Sequence, residues 1–145
     1  YSPELWEALF NEIDSDNFGL NFDPSHLYWL GIDYLQAAKD FSTKIFHAHA
    51  KDTEMLGEGR YKYSILGKQL NPVPWQSGWW RYRMPGLGEI DWNKFISVLQ
   101  ENGYDNVLSI EHEDPLMSGT EGLTKAVAFL KEVLLYEDVG EMWWA

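Results

Sequence analysis

Three segments of the chain place carboxylates and imidazoles at the ends of short apolar runs. Asn21-Phe22-Asp23-Pro24-Ser25-His26 sets an acid and a histidine three apart. Lys44-Ile45-Phe46-His47-Ala48-His49-Ala50-Lys51-Asp52 and Asn106-Val107-Leu108-Ser109-Ile110-Glu111-His112-Glu113-Asp114-Pro115 repeat the design. Asp23, His49 and Glu111 each close such a run. Two carboxylates and a neutral imidazole form an open oxygen and nitrogen set suited to a divalent ion: Mn, Mg, Co, Fe or Zn. The chain has no Cys, so thiolate ligands are excluded. His26 can reach the same place from the loop after Asp23. His47 and His49 are two apart and share a strand face, which Lys51 continues. Glu111 follows the apolar run 107–110, where a carboxylate is costly unless paired or metal-bound. Plainer roles compete at each position. Asp23 can cap a turn before Pro24, His47 can be a core histidine, and Glu113 and Asp114 read as solvated loop acids.

Something must bring these ends together. Residues 2–14 read as a helix, with Ser2 as cap, Pro3 in the first turn, and Leu5, Trp6, Leu9, Phe10 and Ile13 on one face. Residues 18–22 read as a strand that Pro24 stops. A helix follows over 32–41 and a strand over 44–49. Asp91 caps a helix that Gly103 ends, 106–111 is a third strand, and Ser118 caps a last helix to about residue 135. Between them, 52–88 reads as a long ordered binding loop, with six aromatic residues from Tyr61 to Tyr82 and no clear periodicity. The order α-β-α-β-α-β-α predicts an α/β fold with parallel strands and helical crossovers. In such a sheet all strand C-termini share one edge, and sites are built there. Three strands cannot close an eight-stranded barrel. They suffice for half of one, so residues 1–145 are expected to form a single C-terminal half-barrel domain.

Charge narrows the partners. The net charge is −12, with only 11 Lys and Arg. A duplex nucleic-acid binder needs a basic footprint, so nucleic acid is not expected. No apolar run is long enough for a membrane helix, and the absence of Cys fits a cytoplasmic setting. Aromatic residues make up 16%, with eight Trp. Such rings either line a sugar site or fill a large core. The opening Tyr1 leads straight into a helix, as expected of a piece of a longer protein.

Taken in order, the motifs resemble the last three strands of the xylose isomerase-like TIM barrels, which include sugar and sugar-phosphate isomerases and epimerases, with endonuclease IV as a relative. Asp-Pro-Ser-His at 23–26 resembles the sixth-strand motif, His-Ala-His-Ala-Lys-Asp at 47–52 the seventh, and Ser-Ile-Glu at 109–111 the eighth. Residues 83–92, with Gly86-Leu87-Gly88, resemble the glycine turn before the seventh helix, preceded by an arginine that contacts substrate. The resemblance implies a partial (β/α)8 barrel. It implies metal ligands Asp23, His49 and Glu111, with Glu111 also catalytic. His26, His47, Lys51, Trp80 and Arg83 are then expected on the substrate, a sugar or sugar phosphate. The implied chemistry is proton transfer beside a carbonyl, through an enediolate. The family's fourth-strand glutamate has no counterpart here. A non-catalytic half-barrel is therefore the main alternative, and abasic-site DNA repair a lesser one. The latter is opposed by Arg81-Tyr82-Arg83, which stands where three-zinc repair enzymes carry an Asp-x-His pair. An open half-barrel is also expected to expose an apolar face and to form a homo-oligomer through it.

Overall fold

Capping residues set most helix starts in the computed structural model, which describes residues 2–72, 78–137 and 140. Trp75 and the Met142-Trp143-Trp144 tail lie outside them. Asp91 accepts from Lys94 N at 3.1 Å and opens α5, Trp92–Glu101; Gly103 leaves it at φ +76°. Ser118 accepts from Glu121 N and opens α6, Gly119–Val133. Asp33 does the same for α3, Tyr34–Asp40. Helix α1, Pro3–Glu12, has Pro in its first turn but no side-chain cap bond from Ser2.

Pro24 does not simply stop a strand. It is the first residue of a short helix α2, Pro24–Trp29, capped by Asp23. A proline tolerates that position because the first N–H of a helix has no partner within it.

The strands are β1 (Leu20–Phe22), β2 (Ile45–Ala50) and β5 (Leu108–Ile110), in the order β1-β2-β5. Both pairings are parallel, with Phe22 opposite Ala48 and His49 opposite Ser109. The register slips between Leu20 and Asn21, which sets Asn21 opposite His47. One sheet face is apolar. Phe22, Ala48 and Ala50 are buried there with Phe95, Trp92, Leu99 and Leu130 from the helices, and Phe22 stacks on Phe95 at 5.7 Å. Ala48 and Ala50 are fully buried, and their small side chains let the helices lie close. Truncating Phe95 to Ala would cost about 3–5 kcal/mol.

The other face carries Asn21, His47, His49 and Ser109. The His47 and His49 rings are 5.6 Å apart, and His47 Nε2 lies 2.6 Å from Ser109 Oγ. The open side of the sheet is thus polar around the site, not apolar as the sequence suggested, because barrel interiors place their chemistry on this face. The exposed apolar residues sit elsewhere. Leu5, Leu9 and Ile13 on and after α1, and Leu123 and Val127 on α6, are each more than a third exposed. On α1 only Trp6 and Phe10 turn toward Phe22, Phe18 and Phe41. The apolar stripe of α1 is wider than the sheet it covers.

The segment 52–88 is not one loop. It holds β3 (Asp52–Met55), α4 (Gly57–Tyr63) and β4 (Trp80–Arg83). β3 and β4 form an antiparallel ribbon, with Asp52 opposite Arg83 and Met55 opposite Trp80. Asp52, fully buried, anchors the ribbon to the turn before α5. Its carboxylate accepts from Thr53 N (2.8 Å), Gly86 N (3.0 Å), Ile90 N (3.0 Å) and Trp92 Nε1 (2.8 Å). Gly86 has φ +85°, and a Cβ on Gly88 would collide with the Asp52 carboxylate and the Thr53 carbonyl. That close approach is why the turn carries glycines.

Candidate metal centre

Asp23 divides its two oxygens between tasks. Oδ1 accepts from Ser25 N at 2.9 Å and Ser25 Oγ at 2.6 Å, which caps α2. Oδ2 points the other way, is buried, and has no hydrogen-bond partner among the described residues. Around it stand Lys51 Nζ at 3.2 Å, His26 Nε2 at 3.5 Å and His49 Nδ1 at 3.7 Å. The Lys51 contact has ion-pair distance without hydrogen-bond alignment. A buried carboxylate oxygen with an ammonium beside it but no aligned hydrogen bond is under-satisfied, and a divalent ion would complete its coordination.

Glu111, directly after β5, completes the cluster. Its Oε2 accepts from His49 Nδ1 at 2.9 Å and Lys51 Nζ at 2.6 Å. The Asn21 side-chain amide lies 3.2 Å from His49 Nε2 and donates to it. Nδ1 is the ring nitrogen that faces both carboxylates. Asp23, His26 and Glu111 also offer atoms within 4.8 Å of one another. The structure therefore brings the expected Asp23, His49 and Glu111 together and places His26 as a fourth group at the same point. Two carboxylate oxygens and imidazole nitrogens fit a divalent ion of the harder or borderline kind. The under-satisfied Asp23 Oδ2 is the observation that supports the fit.

Lys51 lies at the centre, 1% exposed. Besides Glu111 it donates to Glu113 Oε2 at 2.8 Å and His26 Nε2 at 3.2 Å, and it pairs with Asp23. Its ammonium also lies 4.3 Å from the centre of the Tyr82 ring. Burial alone would lower its pKa, but its hydrogen bonds to Glu111 and Glu113 and the charge of Asp23 raise it above the ordinary lysine range. Burial would raise Glu111; the Lys51 bond and charge and the His49 ring hold it below the usual carboxylate value. Both groups are thus charged at neutral pH.

An aromatic wall borders the cluster. His26 Nδ1 lies 3.0 Å from Tyr82 Oη, which also accepts from Trp29 Nε1 at 3.3 Å. Trp80 stacks on Trp29 with centroids 4.5 Å apart and planes 4° apart, and lies edge-on to Tyr82 at 4.7 Å. His47 sits one step further down the sheet, against Ser109. Arg83 is tied down: its Nη1 bonds Glu54 Oε2 at 2.5 Å and its Nε bonds Asp114 Oδ2 at 2.9 Å. Arg81 Nε shares the same Glu54 oxygen at 2.7 Å.

The sequence reading missed several of these groups. Asp114 is no solvated acid. Its side chain is fully buried and accepts from Arg83, Met84 N and Leu116 N. Glu113 is half-exposed but bound to Lys51. Tyr82 carried one usable signal, the alternation Trp80-Arg81-Tyr82-Arg83, which marks a strand with an aromatic and a basic face.

A family profile for the Xylose isomerase-like TIM barrel matches residues 1–133. The chain belongs to that family. The Bacillus subtilis protein YfiH, whose function is uncharacterised, is 34% identical over 140 residues, spanning 92% of this chain and 43% of YfiH. An inosose dehydratase of Clostridium perfringens is 30% identical over 136 residues, again 43% of its length. Among solved structures, a xylose isomerase domain protein from Planctomyces limnophilus superposes with a TM-score of 0.66 at 21% identity, over 92% of this chain and 41% of that one. The IOLI protein, solved with a bound zinc atom, superposes with a TM-score of 0.62 at 26% identity, over 90% and 42%. The chain therefore spans about two-fifths of the length of these xylose isomerase-like relatives. It forms an incomplete barrel of that fold. No helix among the described residues is long and apolar enough to cross a membrane.

Proposed function

We propose that these residues form half of a metal-dependent active site that moves a proton beside the carbonyl of a keto or aldo sugar, as isomerases and epimerases do. The observation that supports this is the buried Asp23 Oδ2, which makes no aligned hydrogen bond and faces His49, His26 and Lys51. A divalent ion held by Asp23, His49 and Glu111 would supply Lewis-acid polarisation of the sugar's oxygens. Glu111, ionised beside His49 and Lys51, takes the proton next to the carbonyl. Lys51 offers a fixed positive charge where negative charge develops in the enediolate. His26 and Tyr82 present a hydrogen-bonded pair to sugar hydroxyls, and Trp80 closes the side. His47, linked to Ser109, is positioned to line the sheet-side floor. The opposing acid or base comes from outside these residues, from the rest of a barrel or from a second copy across the open side.

A second reading has a specific support. Relatives named inosose dehydratase share about 30% identity with this chain. Dehydration beside a ketone begins with the same proton removal and then expels a hydroxyl. Both readings are tested with the full-length protein and Mn²⁺. Keto sugars and inososes are incubated in D2O, and loss of the proton signal next to the carbonyl is followed by NMR. We expect exchange in the wild type and a fall of about 10²–10⁴-fold in Glu111→Gln. Exchange without water loss supports isomerisation or epimerisation, and exchange with formation of an unsaturated ketone supports dehydration. No exchange with any substrate removes the catalytic reading.

A further inference from the structure

We infer that Asn21 positions His49 so that its Nδ1, and not its Nε2, binds the divalent ion; the inference rests on the metal-site reading above. Asn21 is a positioning residue. It acts only through the imidazole it holds.

β1 delivers two polar side chains to the open face of the sheet. Asn21 and Asp23 are two apart and project to the same side. The register slip between Leu20 and Asn21 sets Asn21 opposite His47. From there its amide reaches along β2 and lies 3.2 Å from His49 Nε2, its one side-chain hydrogen bond among the described residues. The other nitrogen of the ring faces the carboxylates. His49 Nδ1 stands 2.9 Å from Glu111 Oε2 and 3.7 Å from Asp23 Oδ2. Ligand atoms that share one divalent ion at bond lengths of about 2.1 Å stand about 3.0–3.4 Å apart. The two separations bracket that span, so Nδ1 joins such an ion with little movement.

The orientation of the ring is what needs fixing. An imidazole turned over presents one C–H where Nδ1 stood and another where Nε2 stood, with nearly the same shape. Packing separates the two orientations poorly. A hydrogen bond separates them well: the turned ring sets a C–H against the Asn21 amide and another against two carboxylates. The amide also suits either form of Nε2. Its NH2 meets a bare Nε2, and its oxygen meets the Nε2–H that a neutral ring carries once a metal takes the Nδ1 lone pair. Asn21 is exposed, so the amide has room to turn between these two uses. Leucine has a similar shape and neither group.

His26, the other imidazole beside Asp23, does not compete for this role. Its Nε2 lies 3.2 Å from Lys51 Nζ. An ammonium only donates, so that contact uses the Nε2 lone pair. The Nδ1 of the same ring lies 3.0 Å from Tyr82 Oη. Both nitrogens of His26 are engaged, and His49 has the lone pair to give.

The test uses full-length protein and Zn²⁺ in two measurements. In the first, Zn²⁺ affinity is measured by competition with a chromophoric chelator for the wild type, Asn21→Leu and Asn21→Asp. We expect Asn21→Leu to bind about 10–100-fold more weakly. A carboxylate accepts from Nε2–H more strongly than an amide, so Asn21→Asp should bind at least as tightly as the wild type. Equal affinity in the wild type and Asn21→Leu overturns the inference. Weakening of Asn21→Asp to the level of Asn21→Leu overturns it too. In the second, long-range proton–nitrogen NMR spectra of the Zn²⁺-loaded wild type read which His49 nitrogen carries the metal. We expect Nδ1 bound and Nε2 protonated. Zinc on Nε2 overturns the inference, and this spectrum needs no variant. Absence of saturable Zn²⁺ binding to the wild type overturns the metal-site reading and the inference with it, whereas a bound ion indifferent to Asn21 overturns the positioning role alone.

Discussion

Lys51 and Asp52 are neighbours in the chain and both are buried charges, yet they are satisfied in opposite ways. Lys51 is surrounded by other ionisable groups: Asp23, Glu111, Glu113 and His26. Asp52 is surrounded by N–H donors that do not titrate: three backbone amides and the Trp92 indole. The strand's alternation sends one toward the barrel axis and the other into the ribbon and turn. A cluster of mutually adjustable charges can exchange partners for a metal or a substrate. A carboxylate held by fixed dipoles can only hold the scaffold in place. Function and architecture thus diverge at a single peptide bond.

Breaking the scaffold half should give the largest effect. Asp52→Asn turns one acceptor oxygen into a donor that faces other donors, and the buried amides of the glycine turn lose their partner. Urea denaturation should show a loss of about 3–5 kcal/mol, by analogy with breaking a buried polar network. Added Mn²⁺ should recover none of it beyond what the wild type gains. A stable Asp52→Asn protein would mean that the turn before α5 is held by something else.

Breaking the functional half should separate stability from activity. Lys51→Met removes the positive charge at the centre of the cluster. The freed carboxylates of Glu111 and Glu113 are more than a third exposed and can take up water, while Asp23, 8% exposed, loses its ion-pair partner, so we expect a stability loss of about 2–3 kcal/mol. The same change removes a competitor for the cation. Metal affinity should rise, and the increase in Tm on adding Mn²⁺ should exceed that of the wild type. Exchange activity should fall by about 10²-fold or more. A variant with weaker metal binding and no change in activity would reverse the assignment of Lys51.

How these halves stood in the sequence differs as well. The parallel sheet was legible because each strand is a compact apolar run ended by an acid or histidine, and the capping residues Asp91 and Ser118 mark helix starts by local chemistry alone. The convergence of Asp23, His49 and Glu111 follows from that sheet. The ribbon was not legible. Its strands lie about 28 positions apart, and β3, Asp52-Thr53-Glu54-Met55, carries too few apolar residues to announce itself. Pro24 was read as a stop because its role depends on Asp23 being a cap. The burial of Lys51, Asp52 and Asp114 was invisible for a general reason. Sequence patterns assign charged residues to the surface, and only three-dimensional pairing brings them inside.

Asp114 gives the smallest and sharpest test, because it joins the two halves. It follows the site strand, yet its partners are Arg83 and Met84 N at the end of the ribbon and Leu116 N in its own loop. Burial would raise its pKa, but the Leu116 amide, the Arg83 bond and charge, and the Met84 amide hold it below the ordinary carboxylate range. The sign follows from linkage. A carboxyl with a depressed folded-state pKa stabilises the fold above its unfolded value, near 3.9, and that stability is lost as pH falls through the lower folded value. Asp114→Asn should therefore cost about 1–2 kcal/mol at neutral pH. The cost should shrink as pH falls below about 4, where Asp114 of the unfolded chain takes up a proton, and vanish below the folded-state value. Urea midpoints of the two proteins measured from pH 7 down to pH 3 should converge at the acid end. Parallel curves would show that the bond between the site loop and the ribbon is held by shape and not by charge, and the distinction drawn between Lys51 and Asp52 would then not extend to the contact that links their surroundings.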